Sequence, residues 1–147
     1  MKDLIKQLTE AYGPPGYEQA VRDIIRELVT PYADQVEVDP LGNLHVVKQR
    51  SSSGNGSVIM LAAHMDEIGL MVSHLDENGF GRLTTLGGVR PETMVGNRAI
   101  FTNGAIGVIN VEKWPRNEKL DSSHRKLYLD FGVANKKAVP VRIGDVA

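Results

Sequence analysis

Val58-Ile59-Met60-Leu61-Ala62-Ala63-His64-Met65-Asp66-Glu67-Ile68-Gly69 is the stretch on which the fold turns. Its first six residues are apolar at every position, which suits a strand buried on both faces in the centre of an α/β sheet. Ligands gather at the carboxyl ends of such strands, and His64 stands there. A histidine leaving a buried strand needs partners for its ring nitrogens. Asp66, two residues on, falls on the same face of an extended chain. Its carboxylate can accept from one imidazole nitrogen, fix the tautomer and leave the other nitrogen for a metal. The plainer reading of His-x-Asp is a core histidine satisfied by a carboxylate, with no metal. His74-Leu75-Asp76 repeats the pattern just before a Glu-Asn-Gly turn, so spacing alone does not decide. Strand context does: His64 follows an apolar run, whereas His74 approaches a solvent-facing hairpin end.

Upstream, Leu4, Ile5, Leu8 and Tyr12 recur at helical spacing and predict a short first helix. Gly13-Pro14-Pro15-Gly16 stops it. A second helix is expected from about Glu18, with Ala20, Val21, Ile24, Ile25, Leu28 and Val29 as its stripe and Pro31 as its end. The period then changes to that of strands. Val36 and Val38 alternate with polar residues, Asp39-Pro40-Leu41-Gly42-Asn43 makes a turn, and Leu44, Val46 and Val47 form the returning strand. Ser51 to Ser57 is a Ser/Gly connection.

Downstream of Asp66, short β-type runs are separated by turn signals. The runs are Leu70–His74, Gly81–Leu86, Met94–Phe101, Ile106–Val111 and Leu127–Phe131, with no helical stripe among them. That pattern predicts a small barrel or curled sheet. The chain is therefore expected to divide into an α/β piece, residues 1–66, and a β-rich piece, residues 67–147.

Composition removes several functions. Lys and Arg total 17 against 18 Asp and Glu, and no basic stripe or polybasic patch points to nucleic acid or a membrane surface. The absence of cysteine excludes disulfides, thiolate zinc sites and a cysteine nucleophile. No signal-like start and no apolar run of membrane-spanning length are present, so a cytoplasmic location is expected. His45, in an alternating strand, reads as a surface or sheet-edge residue, and His124 falls in a polar stretch. Trp114 reads as a packing residue, and Glu67, which could serve as a catalytic acid, reads rather as a solvated carboxylate or a group supporting the metal ligand. Gly87-Gly88 lacks the helix and Lys-Ser/Thr pair of a phosphate loop, and no Gly-x-Ser-x-Gly elbow occurs.

Three motifs together resemble the glutamyl-aminopeptidase family, which includes the tetrahedral aminopeptidases. They are Leu8-Thr9-Glu10-Ala11-Tyr12-Gly13-Pro14-Pro15-Gly16-Tyr17-Glu18, Asp39-Pro40-Leu41-Gly42-Asn43-Leu44 and Ala63-His64-Met65-Asp66-Glu67-Ile68-Gly69, in the family's order and spacing. Asp130-Phe131-Gly132 and Val141-Arg142-Ile143-Gly144-Asp145 are similar to the end of its second domain. The resemblance implies a dinuclear metallopeptidase, usually with zinc or cobalt, that removes N-terminal residues from peptides. It implies His64 as a ligand of one metal ion and Asp66 as the catalytic-site residue that orients it. It also implies that residues 1–66 are the N-terminal part of the catalytic α/β sandwich. Residues 67–147 would be an inserted β-barrel-like dimerisation domain through which a homo-oligomer is built.

In that family the bridging aspartate, the glutamate pair, another acidic ligand and a final histidine all follow the second domain, beyond Asp145-Val146-Ala147. A two-metal hydrolase holds its ions roughly 3.5–4 Å apart, which one histidine does not achieve. The 147 residues alone are therefore expected to be inactive, with apolar strand edges and faces left exposed. A reading of another class is a non-catalytic interaction or dimerisation module. Glycoside hydrolysis finds little support, since aromatic residues make up only 5% of the chain and no opposed carboxylate pair appears.

Overall fold

A computed structural model describes residues 1–49, 57–112 and 126–147. In the first part, α1 (Lys2–Glu10) and α2 (Gln19–Val29) form where the apolar spacing predicts them. Asp3 lies in the first turn of α1, where a carboxylate opposes the positive end of the helix dipole. Between the helices, Tyr17 N–H donates to the Pro14 carbonyl at 2.8 Å, and Gly16 N–H donates to Glu18 Oε1 at 2.7 Å. Helix α2 runs into a 3-10 turn at Thr30–Tyr32, where Pro31 cannot extend the α-helical ladder.

The antiparallel pair β1 (Gln35–Val38) and β2 (Leu44–Val47) follows, with Val38 opposite Leu44 and Gln35 opposite Val47. Its turn is fixed by one side chain. Asp39 Oδ1 accepts from the backbone N–H of Leu41 at 2.9 Å and of Asn43 at 2.8 Å, while Oδ2 accepts from the Asn43 amide at 2.8 Å. Gly42 takes φ +90°, which an L side chain rarely adopts, and its carbonyl accepts from Arg22 Nη1 of α2 at 3.0 Å.

Residues 57–68 form neither helix nor strand. The double-sided strand expected at Val58–Ala63 is not formed, and Val58 and Leu61 are 96% and 93% exposed. A central strand is defined by neighbours that take up its backbone groups and cover both faces, and no described strand pairs with this one. The same lack of cover shows in the helices: α1 buries no residue and α2 buries only Val21.

The chain separates into two compact units, Met1–Asp66 and Glu67–Ala147. The second holds the larger core. Strands β3 (Gly69–Leu75), β4 (Phe80–Leu86), β5 (Arg98–Ile100), β6 (Ile106–Val111) and β7 (Leu127–Asp130) build an antiparallel sheet in the order β3-β4-β7-β6-β5. Burial alternates along β6 and β7, and the inward residues Val72, Leu83, Ile109, Leu127 and Leu129 meet in one cluster. Gly107 lets β6 approach its neighbours, because a Cβ there would lie 2.9 Å from Leu129 Cδ2 and 3.0 Å from Phe131 Cε1. The β3–β4 turn is closed by Asp76 Oδ1, which accepts from Asn78 and Phe80 N–H, each at 3.0 Å.

Two features of this unit depart from the sequence reading. Met94–Phe101 supplies a strand only at Arg98–Ile100, because a helical turn, α3 (Pro91–Met94), precedes it. A 3-10 turn also occupies Lys136–Ala138, capped by the Asn135 side chain. The last residues run antiparallel to β3: Leu70 N–H donates to the Ala147 carbonyl and Ala147 N–H to the Leu70 carbonyl, both at 2.8 Å. Asn103 Nδ2, from the β5–β6 turn, donates to the Pro140 carbonyl at 2.8 Å. Residues 140–147 thus cover the β3 edge and tie to the opposite end of the curled sheet.

Candidate functional site

His64 and Asp66 close the first unit, and their side chains meet. His64 Nδ1 lies 2.9 Å from the Asp66 carbonyl oxygen and 3.1 Å from Asp66 Oδ1. Both partners only accept, so Nδ1 carries the proton and donates. In the neutral ring Nε2 then keeps its lone pair, which is the state a metal ligand needs. The carboxylate contact follows from the two-residue spacing. The carbonyl contact is announced by no residue pattern.

The pair is open to solvent, with the His64 side chain 85% exposed and that of Asp66 42% exposed. Burial in a strand therefore does not dictate its geometry; a local hydrogen bond does. Met65, between them, lies beside Gly13, where a Cβ would sit 3.5 Å from the Met65 carbonyl oxygen and 2.6 Å from Val21 Cγ2. The glycine that ends the first helix thus lets Val21 of α2 close over this stretch. The opening motif and the His-x-Asp motif meet through that contact, which separation along the chain conceals.

Among the described residues no group of three or more His, Cys, Asp or Glu side chains converges to hold a metal ion. What is present fits part of such a centre: one imidazole nitrogen of the right tautomer and a carboxylate that orients the ring. Glu67 is exposed and next in sequence to the pair. His124 and Trp114 lie outside the described residues.

A second polar cluster surrounds the β1–β2 turn. His45 Nε2 lies 3.1 Å from Asp39 Oδ2, on the oxygen that also takes the Asn43 amide. These hydrogen bonds, Asn43 first and His45 next, hold the Asp39 carboxyl well below its ordinary value of 3.8. The contact gives His45 a definite role as a partner of the turn, which its place in an alternating strand does not signal. His74 is exposed on β3 beside a register shift and has no place in either cluster.

This fold matches part of the TET aminopeptidases. The TET aminopeptidase of a marine-sediment Thaumarchaeota archaeon superimposes with a TM-score of 0.83 at 30% identity, over 99% of this chain and 43% of that one. The TET1 peptidase of Pyrococcus horikoshii, described as assembling into a tetrahedron or a large octahedral shell, matches with a TM-score of 0.75 at 28% identity, over 99% of this chain and 45% of that one. In sequence, a lysyl aminopeptidase of Pyrococcus furiosus is 37% identical over 114 residues, 73% of this chain and 32% of its own length. Residues 42–147 match the profile of the M42 glutamyl aminopeptidase family, and the chain belongs to that family. It spans less than half the length of these relatives.

Proposed function

We propose that this chain supplies the first metal-binding histidine and the oligomerisation unit of a metal-dependent aminopeptidase. The observation that carries the reading is the Nδ1 hydrogen bond of His64 to Asp66, 3.1 Å to the carboxylate, which leaves Nε2 as the ligating nitrogen. In this proposal His64 is a ligand of one of two divalent ions, zinc or cobalt by family resemblance, and Asp66 is the residue that positions it. Such ions polarise the scissile carbonyl and activate water. The chain's own contribution is narrower: Asp66 holds the ring and fixes the proton on Nδ1. The remaining ligands and the general base would come from polypeptide outside these 147 residues.

Substrates would be peptides with free N-termini, in the cytoplasm, without nucleic acid or membrane partners. Among the described residues, no helix is long and apolar enough to cross a membrane. Membership of the M42 family supports the chemistry. The shells formed by the similar TET1 peptidase support a homo-oligomer, which the Glu67–Ala147 unit would build. The direct test is cobalt titration of the protein from its complete reading frame, followed by visible spectroscopy and aminoacyl-anilide hydrolysis. Stoichiometric metal and hydrolysis lost in His64→Ala support the reading. Absence of both metal and hydrolysis removes it and leaves the non-catalytic module.

A further inference from the structure

The first unit buries little, and what it buries lies in one place. Among its described residues only Gly13, Pro14 and Val21 are buried. Gly13 adjoins both Val21 of α2 and the carbonyl oxygen of Met65, the residue between His64 and Asp66. Gly13 is not glycine for the sake of its backbone. Gly16 and Gly42 of the same unit take a positive φ and Gly13 does not, so an L residue meets no left-handed strain there. What a side chain would lack is room. A Cβ would lie 2.6 Å from Val21 Cγ2 and 3.5 Å from the Met65 carbonyl oxygen. Val21 has little freedom to give way, because a β-branched side chain inside a helix holds one strongly preferred rotamer. The displacement would therefore fall on the backbone that meets at this point.

That backbone carries the candidate site. The Met65 carbonyl carbon is bonded to the nitrogen of Asp66, and both acceptors of the His64 Nδ1 proton are atoms of Asp66: the carbonyl oxygen at 2.9 Å and Oδ1 at 3.1 Å. Moving the Met65–Asp66 peptide moves the two acceptors together. The His64 side chain is 85% exposed, so these bonds, rather than packing around the ring, orient it. We propose that Gly13 is a positioning residue for His64. Its missing side chain lets Val21 and the Met65 peptide occupy the same small core, and the seat of that peptide sets where Asp66 holds the imidazole. The proposal rests on the reading of His64 as a metal ligand, and it adds a residue remote in sequence that fixes the geometry of that ligand.

The test is nitrogen NMR of the full chain labelled at histidine, at a pH where the rings are neutral, which locates the His64 proton without any metal. Gly13→Ala moves the His64 shifts from those of the Nδ1–H tautomer toward the mixture that an unconstrained imidazole shows. Val21→Ala leaves them near wild type. Combining the two substitutions removes the obstructing Cγ2 and restores them, a coupling that independent effects would not give. His45, bonded to Asp39 in the same unit, is the internal control and stays unchanged in all three variants. Unchanged His64 shifts in Gly13→Ala overturn the proposal. So do equal changes at His64 and His45 in a folded variant, which mark general loosening, and a double variant as displaced as Gly13→Ala. Should Gly13→Ala unfold the first unit of this chain, the same substitution in the protein from the complete reading frame decides, read by the visible spectrum of bound cobalt. An altered spectrum with affinity weakened by about 10–100-fold supports the positioning role, and a wild-type spectrum and affinity overturn it. A wild-type protein that binds no cobalt contradicts the aminopeptidase reading itself, whereas unchanged His64 shifts in Gly13→Ala remove only the role of Gly13.

Discussion

Leu129→Ala is the sharpest probe of how stability is distributed. Leu129 is 0% exposed, sits in β7 between β4 and β6, and lies at the centre of the buried cluster. Removing its side chain forfeits the transfer of the deleted carbons and leaves a cavity that neighbouring strands close only in part. Such buried leucine truncations cost about 2–5 kcal/mol. A unit of this size has roughly 4–12 kcal/mol in total, so the loss is a large share of what is available. Leu28→Ala on α2 is the matched control, because Leu28 is 41% exposed and lies outside the buried cluster; its cost should stay well below that of Leu129→Ala. Urea unfolding read by far-ultraviolet circular dichroism at the β-sheet band measures both. With a slope of roughly 1 kcal/mol per molar urea, Leu129→Ala lowers the midpoint by about 2–5 M or abolishes the folded baseline. Equal midpoints for the two variants would refute the claim that the core lies in the Glu67–Ala147 unit.

Other outcomes follow from the same geometry. Gly107→Ala places a methyl 2.9 Å from Leu129 Cδ2 and should cost about 1–3 kcal/mol by overpacking, read in the same urea transition. The Asp39 carboxyl, ordinary in the unfolded chain and depressed in the folded turn, stabilises the β1–β2 hairpin fully above about pH 3.8. That contribution fades as pH falls through the lowered folded value. Carbon-detected titration should find Asp39 still ionised where ordinary aspartates have protonated, and Asn43→Ala should move it back toward 3.8. Nitrogen chemical shifts of His64 should report the Nδ1–H tautomer. Asp66→Ala should lower the population of that tautomer and, in the metal-binding protein, weaken affinity by about 10–100-fold.

The sequence is most legible where structure is decided locally. The Asp39–Asn43 turn can be read from residue types, since an aspartate, a glycine at φ +90° and an asparagine meet its hydrogen-bonding needs within five residues. The alternating runs of β6 and β7 are legible because one face packs on the core. Val58–Ala63 is the instructive failure: six apolar residues describe a strand only when other strands and layers surround it, and here they do not. The β3-edge contacts of Leu70 with Ala147 and the Asn103–Pro140 bond join residues far apart in sequence, and nothing local announces them. Of the candidate site, the His64–Asp66 contact follows from spacing. The Gly13 packing and the bond from His45 to Asp39 need the folded chain.

The most direct test is to express the complete reading frame that contains these residues and assay aminoacyl-anilide hydrolysis with metal content, for wild type and His64→Ala in parallel. An M42 aminopeptidase that ligates metal through His64 should hydrolyse the anilide and carry two divalent ions per subunit. His64→Ala should lose at least one ion and nearly all activity. Hydrolysis and metal content unchanged by His64→Ala, or a well-folded wild type that neither binds divalent metal nor cleaves, would contradict the assignment of His64.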